Sequence, residues 1–122
     1  MRFLIVDDSN TMRRILVNTL RKLGHDDFVE ARSGREGIER LAESPVDMVI
    51  TDCNMPEMDG LAFVRAVRSN GATRHLPVLM VTSNAAAADI LDARSAGITS
   101  YVVKPFSVET IDAKIRASLK SE

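Results

Sequence analysis

The stretch MVITDCNMPEMDG, residues 48–60, carries the reading of the fold. It opens on an apolar, β-branched run with no polar alternation, as in a parallel strand covered on both faces. The run ends in a carboxylate, Asp52, and breaks at Pro56 and Gly60. A carboxylate at the end of a buried strand is costly unless a neighbouring group compensates it.

Similar runs stand at FLIV (residues 3–6), VLMV (78–81) and YVV (101–103), with a weaker one at 28–31. Segments of helical period lie between them. In SNTMRRILVNTLRKLG, residues 9–24, the pattern puts Met12, Ile15, Leu16, Leu20 and Leu23 on a buried face. Arg13, Arg14, Asn18, Arg21 and Lys22 fall on a solvated one, and Gly24 ends the helix. In residues 33–43, Ser33 and Glu36 form a capping-box pattern ahead of Ile38 and Leu41, against the weak helix propensity of Gly34 and Gly37. Residues 60–68 carry Leu61, Phe63, Val64 and Val67, and the alanine-rich segment 85–96 stops at Gly97. Ser107 caps a last stripe of Val108, Ile111, Ile115 and Leu119. Strand and helix alternating in this way predict an α/β domain with a parallel sheet and right-handed crossovers.

A length of 122 residues predicts one domain over the whole chain, with no effector domain. Lys and Arg total 16 against 17 Asp and Glu, so no global field draws the chain to nucleic acid or membrane. The one cysteine, Cys53, excludes an internal disulfide, and no Cys/His cluster has zinc spacing. The apolar run at 3–6 is too short for a signal peptide or membrane span, so a cytoplasmic location is expected. Cys53 reads as a small apolar filler, and His25 and His75 read as surface residues.

Open α/β sheets bind ligands beyond the carboxyl ends of their strands, at the point where the strand order reverses. Standing there are Asp7 and Asp8, Asp52, Thr82 and Ser83, and Lys104 followed by Pro105. With the first and third strands adjacent, Asp7, Asp8 and Asp52 converge, and carboxylates 4 Å apart repel by about 1 kcal/mol per pair even in water. Mg²⁺ suits such an all-oxygen site, and Lys104 supplies a mobile point charge. Each feature alone has a plainer reading: a helix-capping turn at residues 7–9, an N-cap at Thr82 and Ser83, a surface lysine at Lys104.

VDDS, TDCNMPEMDG, LPVLMVTS and YVVKPF, spread over nearly the whole chain, resemble the receiver domains of two-component response regulators, in particular single-domain chemotaxis members. The resemblance implies a doubly wound (βα)5 flavodoxin-like sandwich with strand order 2-1-3-4-5. It implies that Asp52 accepts a phosphoryl group from a histidine kinase. Asp8, Asp52 and the backbone carbonyl of Asn54 would ligate Mg²⁺, with Asp7 holding a metal-bound water or adding a ligand. Lys104 would pair with one phosphoryl oxygen, the Thr82 hydroxyl with another, and Tyr101 would change rotamer as Thr82 moves. Asn54 and Asn84 occupy the positions that tune hydrolysis of the acyl phosphate, although an acid is common at the second. Pro105 would follow a cis bond.

The implied output surface is the fourth helix, fifth strand and fifth helix, including Ile90, Tyr101, Val103 and Lys114. Its implied partner is a flagellar motor switch protein, with a phosphatase as a further partner and the chain a monomer. A relay passing phosphate to a histidine phosphotransfer protein is the alternative, and the sequence does not choose between them. On either reading the chain turns over no substrate but catalyses its own phosphorylation and dephosphorylation. A phosphohydrolase using Asp52 as nucleophile normally carries a second acid two residues on, where this chain has Asn54. A flavin protein of this architecture needs a Gly/Ser/Thr phosphate loop where Asp7 and Asp8 stand, and no P-loop or G-x-G-x-x-G is present.

Overall fold

Strands β1 (Arg2–Val6), β2 (Asp27–Ala31), β3 (Met48–Asp52), β4 (Val78–Thr82) and β5 (Ser100–Val103) alternate with helices α1 (Asn10–Lys22), α2 (Gly34–Glu43), α3 (Gly60–Ser69), α4 (Ala87–Ala96) and α5 (Val108–Lys120). They are seen in a computed structural model that describes residues 1–83 and 86–120. The strands form one parallel sheet in the order β2-β1-β3-β4-β5, as expected. Successive side chains of a strand point to opposite faces, and here both faces are covered. Phe3 and Ile5 pack with Leu16, Leu20, Ile111 and Ile115 on the side of α1 and α5. Leu4 and Val6 pack with Phe63, Val64 and Val67 on the other. That two-sided burial is why β1, β3 and β4 read as unbroken apolar runs. β2, on the sheet edge, buries only Ala31 fully, which accounts for its weak pattern.

Helix α1 departs from its predicted faces. Its buried side is formed by Arg13, Leu16, Val17, Thr19 and Leu20, whereas Ile15 is 43% exposed. Including Ile15 in the apolar stripe turned the predicted face away from Arg13, which is only 7% exposed. Ser9 caps the helix by accepting from the Met12 N–H, and Gly24, with φ 94°, closes it through Gly24 N–H to Arg21 and His25 N–H to Leu20. The expected surface position of His25 is likewise corrected: it is half-buried, its ring meeting that of Phe3 edge to face with the centroids 4.8 Å apart. In α5 the buried stripe is Ile111, Ile115 and Ser118, and Leu119 is exposed.

The two glycines that weaken α2 are close-packing positions. A Cβ on Gly37 would stand 2.8 Å from the Phe63 ring, and one on Gly34 would stand 2.9 Å from the Met58 sulfur. Helix propensity yields here to contact between α2 and its neighbours.

Arg68, at the end of α3, ties the C-terminal end of α4 to the body of the fold. Its Nε donates to the Gly97 carbonyl at 2.8 Å, and its Nη1 donates to the carbonyls of Arg74 and Leu76 at 2.7 and 2.6 Å. Arg68→Met keeps most of the apolar stem but leaves three carbonyls without that donor. We expect a loss of about 2 kcal/mol in urea unfolding, given that hydrogen bonds to charged groups contribute roughly 1.5–3 kcal/mol. A loss below about 0.5 kcal/mol, within the range of ordinary surface substitutions, would show the clamp to be dispensable.

Candidate phospho-acceptor site

The parallel register sets the site. Val6 lies opposite Thr51, Asp52 opposite Val81, and Thr82 opposite Val103. Asp7, Asp52, Thr82 and Lys104 therefore emerge in successive steps along one edge of the sheet. Carboxylate oxygens of Asp7, Asp8 and Asp52 lie within 4.8 Å of one another. Lys104 Nζ donates to Asp52 Oδ1 at 3.0 Å. The cation therefore shares the edge with the acids, behind a cis Lys104–Pro105 bond.

The acids differ in setting. Asp7 and Asp52 are buried, while Asp8 is exposed. Asp7 Oδ1 accepts the Ser9 N–H at 2.9 Å, but its buried Oδ2 has no hydrogen-bond partner among the described residues. Burial pushes the Asp7 carboxyl above its ordinary value; Asp52 and Asp8 raise it further, against the Ser9 N–H and Lys104. The turn at residues 7–9 thus does cap α1, through Ser9, and still leaves one Asp7 oxygen facing unmet demand. A divalent cation answers that demand. Three carboxylate oxygens within 4.8 Å of one another are an all-oxygen donor set that would suit Mg²⁺.

Beyond Asp52 the chain turns tightly. Glu57 has φ 66°, with the Met58 N–H on the Pro56 carbonyl at 2.8 Å. Gly60 N–H donates to the Cys53 carbonyl at 2.9 Å, and Asp59 caps α3 through the Ala62 N–H at 2.8 Å. This returns α3 under β3. A cavity of about 220 Å³ opens beside it, lined by Cys53, Asn54, Asp59, Leu61, Thr82 and Asp89. Asn54 is exposed there, and Thr82 is buried. Burial, with Asp52, Asp59 and Asp89 behind it, pushes the Cys53 thiol up, and its side chain packs against the core. That agrees with its reading as filler.

The remaining predicted positions lie further along β5, α4 and α5. Tyr101 is half-buried on β5, with Lys114 Nζ 5.1 Å from its ring centroid. Ile90 and Val103 are half-buried as well. Asn84 and the first alanine of the alanine-rich segment, Ala85, fall outside the described residues. The N-cap of α4 is Ala86, so the plainer alternative for Thr82 and Ser83, a cap on this helix, is not the one seen. Two features escaped the sequence reading. Leu91 is 64% exposed on α4, whose sequence AADILDARSA shows no apolar stripe that would single it out. Arg13 reaches the site from α1, where its charge placed it on the solvent side.

Comparison with protein families finds the response regulator receiver domain over residues 3–116. The chain belongs to this family. As a receiver domain it is a phosphorylation-activated signalling module of a two-component system. It is similar to the chemotaxis protein CheY1 of Helicobacter pylori, with 43% identity over 98% of this chain and 97% of the relative. It is 46% identical to the chemotaxis protein CheY of Pseudomonas aeruginosa over 94% of this chain and 93% of that one. The solved structure of Vibrio cholerae chemotaxis protein CheY4 superposes with a TM-score of 0.88 at 33% identity, covering 94% of this chain and 95% of the other. Receiver domains typically bind Mg²⁺ at an acidic pocket, and Asp7, Asp8 and Asp52 form an acidic pocket here. No helix among the described residues is long and apolar enough to cross a membrane.

Proposed function

We propose that this receiver domain is a chemotaxis switch in which Asp52 is the phospho-acceptor. The observation that carries the reading is the 3.0 Å pair between Lys104 and Asp52 beside the clustered acids. One Asp52 oxygen attacks phosphorus in the phosphohistidine of a histidine kinase. The P–N bond breaks, the imidazole leaves with the electron pair and takes up a proton, and an acyl phosphate forms on Asp52. Transfer of this kind needs alignment and charge neutralisation more than covalent chemistry from the protein. Asp7, Asp8, Asp52 and the Asn54 carbonyl would hold Mg²⁺, which when bound neutralises charge on the phosphoryl oxygens.

Lys104 then exchanges the Asp52 carboxylate for a phosphoryl oxygen, and Thr82, at the end of β4, donates to another. These contacts exist only in the phosphorylated state, so they can shift a conformational equilibrium. Tyr101, held under Lys114, carries the shift to the face that includes Ile90 and Val103. Asn54, in the cavity, and Asn84 set the rate of hydrolysis. The output partner on this reading is a flagellar switch protein, in keeping with relatives that are named chemotaxis proteins.

The test is to phosphorylate the domain from a labelled histidine kinase and offer it both a flagellar switch-protein peptide and a histidine phosphotransfer protein. Phosphorylation-dependent binding of the peptide, with the label staying on the domain, is expected. Passage of the label to the phosphotransfer protein without peptide binding would replace motor control by relay.

The Asp7 carboxyl also makes a separate prediction. Because its folded-state value lies above the ordinary 3.8, its protonation favours the fold below that value, and the benefit is lost as pH rises through the raised one. At neutral pH the metal-free domain therefore carries a repulsive charge. Asp7→Asn keeps an acceptor for Ser9 and places an amide beside Asp52 and Asp8. Metal-free stability should rise by about 1 kcal/mol, the order of one close carboxylate pair. Millimolar Mg²⁺ should raise the melting temperature of wild type and hardly that of the variant. A variant less stable than wild type without metal, and equally stabilised by it, would exclude this role for Asp7.

A further inference from the structure

We propose that Arg13 is a positioning residue that fixes the Asp7 end of the acidic site, acting through the Asp7 main chain just beyond β1. The inference rests on the reading of that site as a divalent-cation site. A helix arginine with 7% exposure needs a reason for its burial, and the contacts supply one. Arg13 Nη1 donates to the Asp7 carbonyl oxygen at 2.5 Å, Nε to Glu30 Oε1 on β2 at 3.2 Å, and Nη2 to Asn10 Oδ1 at the start of α1. One planar guanidinium thus joins the end of β1, the edge strand and the first turn of α1. Its rigid fork suits it to this, where a flexible ammonium would bridge fewer partners.

The effect on Asp7 is specific. Its N–H is held by the Ala31 carbonyl of β2 at 3.1 Å, its carbonyl by Arg13, and its Oδ1 by the Ser9 N–H. Of its polar atoms Oδ2 is left over, buried and without a hydrogen bond among the described residues. Arg13 contacts the main-chain carbonyl and not the carboxylate, so it orients the acid without occupying the oxygen that a cation would use. Groups that orient metal ligands from behind typically change metal affinity by about 10–100-fold when removed.

The test titrates Mg²⁺ alone into the full chain by calorimetry, at a temperature where circular dichroism shows each variant folded. Arg13→Met should bind Mg²⁺ about tenfold more weakly than wild type, and saturating Mg²⁺ should restore its acetyl phosphate labelling rate. Arg13→Lys should recover part of the affinity, and Glu30→Gln, which keeps the bond to Asp7, should lose less than Arg13→Met. A folded Arg13→Met within about twofold of wild type would overturn the inference, since an arginine serving only the packing of α1 leaves Mg²⁺ affinity unmoved. If Arg13→Met does not fold, Arg13→Lys carries the test: weakened Mg²⁺ binding supports the inference and wild-type binding overturns it. Wild-type chain that takes up no Mg²⁺ would instead remove the cation-site reading on which the inference rests.

Discussion

Asp52→Asn, incubated with acetyl phosphate and Mg²⁺, will show no mass gain under conditions that add one phosphoryl group to wild type. The loss is chemical and not a loss of fold. An asparagine keeps a side-chain oxygen for Lys104 Nζ, which now sits 3.0 Å from Asp52 Oδ1, and it removes one charge from a cluster of three acids. The variant should therefore melt no lower than wild type without metal. What it lacks is an anionic oxygen able to attack phosphorus. Labelling of the variant at the wild-type rate would move the acceptor elsewhere, and Asp8, the exposed member of the cluster, would be the first alternative to map.

Gly60→Ala will disturb both stability and phosphorylation, although residue 60 takes no part in the chemistry. A Cβ there would stand 2.4 Å from the carbonyl oxygen of Asp52 and 2.9 Å from Cys53 Cα. Both are backbone atoms, at the end of β3 and the start of the loop after it, so no rotamer change relieves the contact. Overpacking of this kind costs about 1–3 kcal/mol, and backbone on both sides puts this case near the upper end. For a domain of this size we expect a melting temperature lower by roughly 10 °C. Because relief must come from shifting the Asp52 main chain, labelling by acetyl phosphate should also slow, by about a hundredfold if the displacement reaches 1 Å. Wild-type stability and rate together would mean that the loop is more pliant than its hydrogen bonds imply.

The legibility of this fold in its sequence follows from where each signal was stored. Strands covered on both faces wrote themselves as unbroken apolar runs, and the polar residues ending those runs were forced to one edge by parallel pairing. Asp7, Asp8, Asp52 and Lys104 were therefore visible as a group before any coordinate. Arg13 was not, because periodicity sorts residues by polarity and cannot see that a carbonyl, a carboxylate and an amide wait for a guanidinium inside the fold. Ile15 and Leu119 mislead in the opposite direction, as apolar side chains that the fold leaves 43% and 39% exposed. Gly34 and Gly37 read as defects of α2 because their value lies in contacts with Met58 and Phe63, distant in sequence. The clamp made by Arg68 on three carbonyls had no sequence signal at all, since main-chain acceptors are the same for every residue type.

Chemical mapping of the phosphoryl group puts the central assignment to its most direct trial. Wild-type chain is treated with acetyl phosphate, with Mg²⁺ or with a chelator, reduced with borohydride, which converts an aspartyl phosphate to homoserine, and sequenced by peptide mass spectrometry. Homoserine at position 52, present with Mg²⁺ and absent with the chelator, is the predicted result. Homoserine at another aspartate, or equal yield with the metal removed, would contradict it.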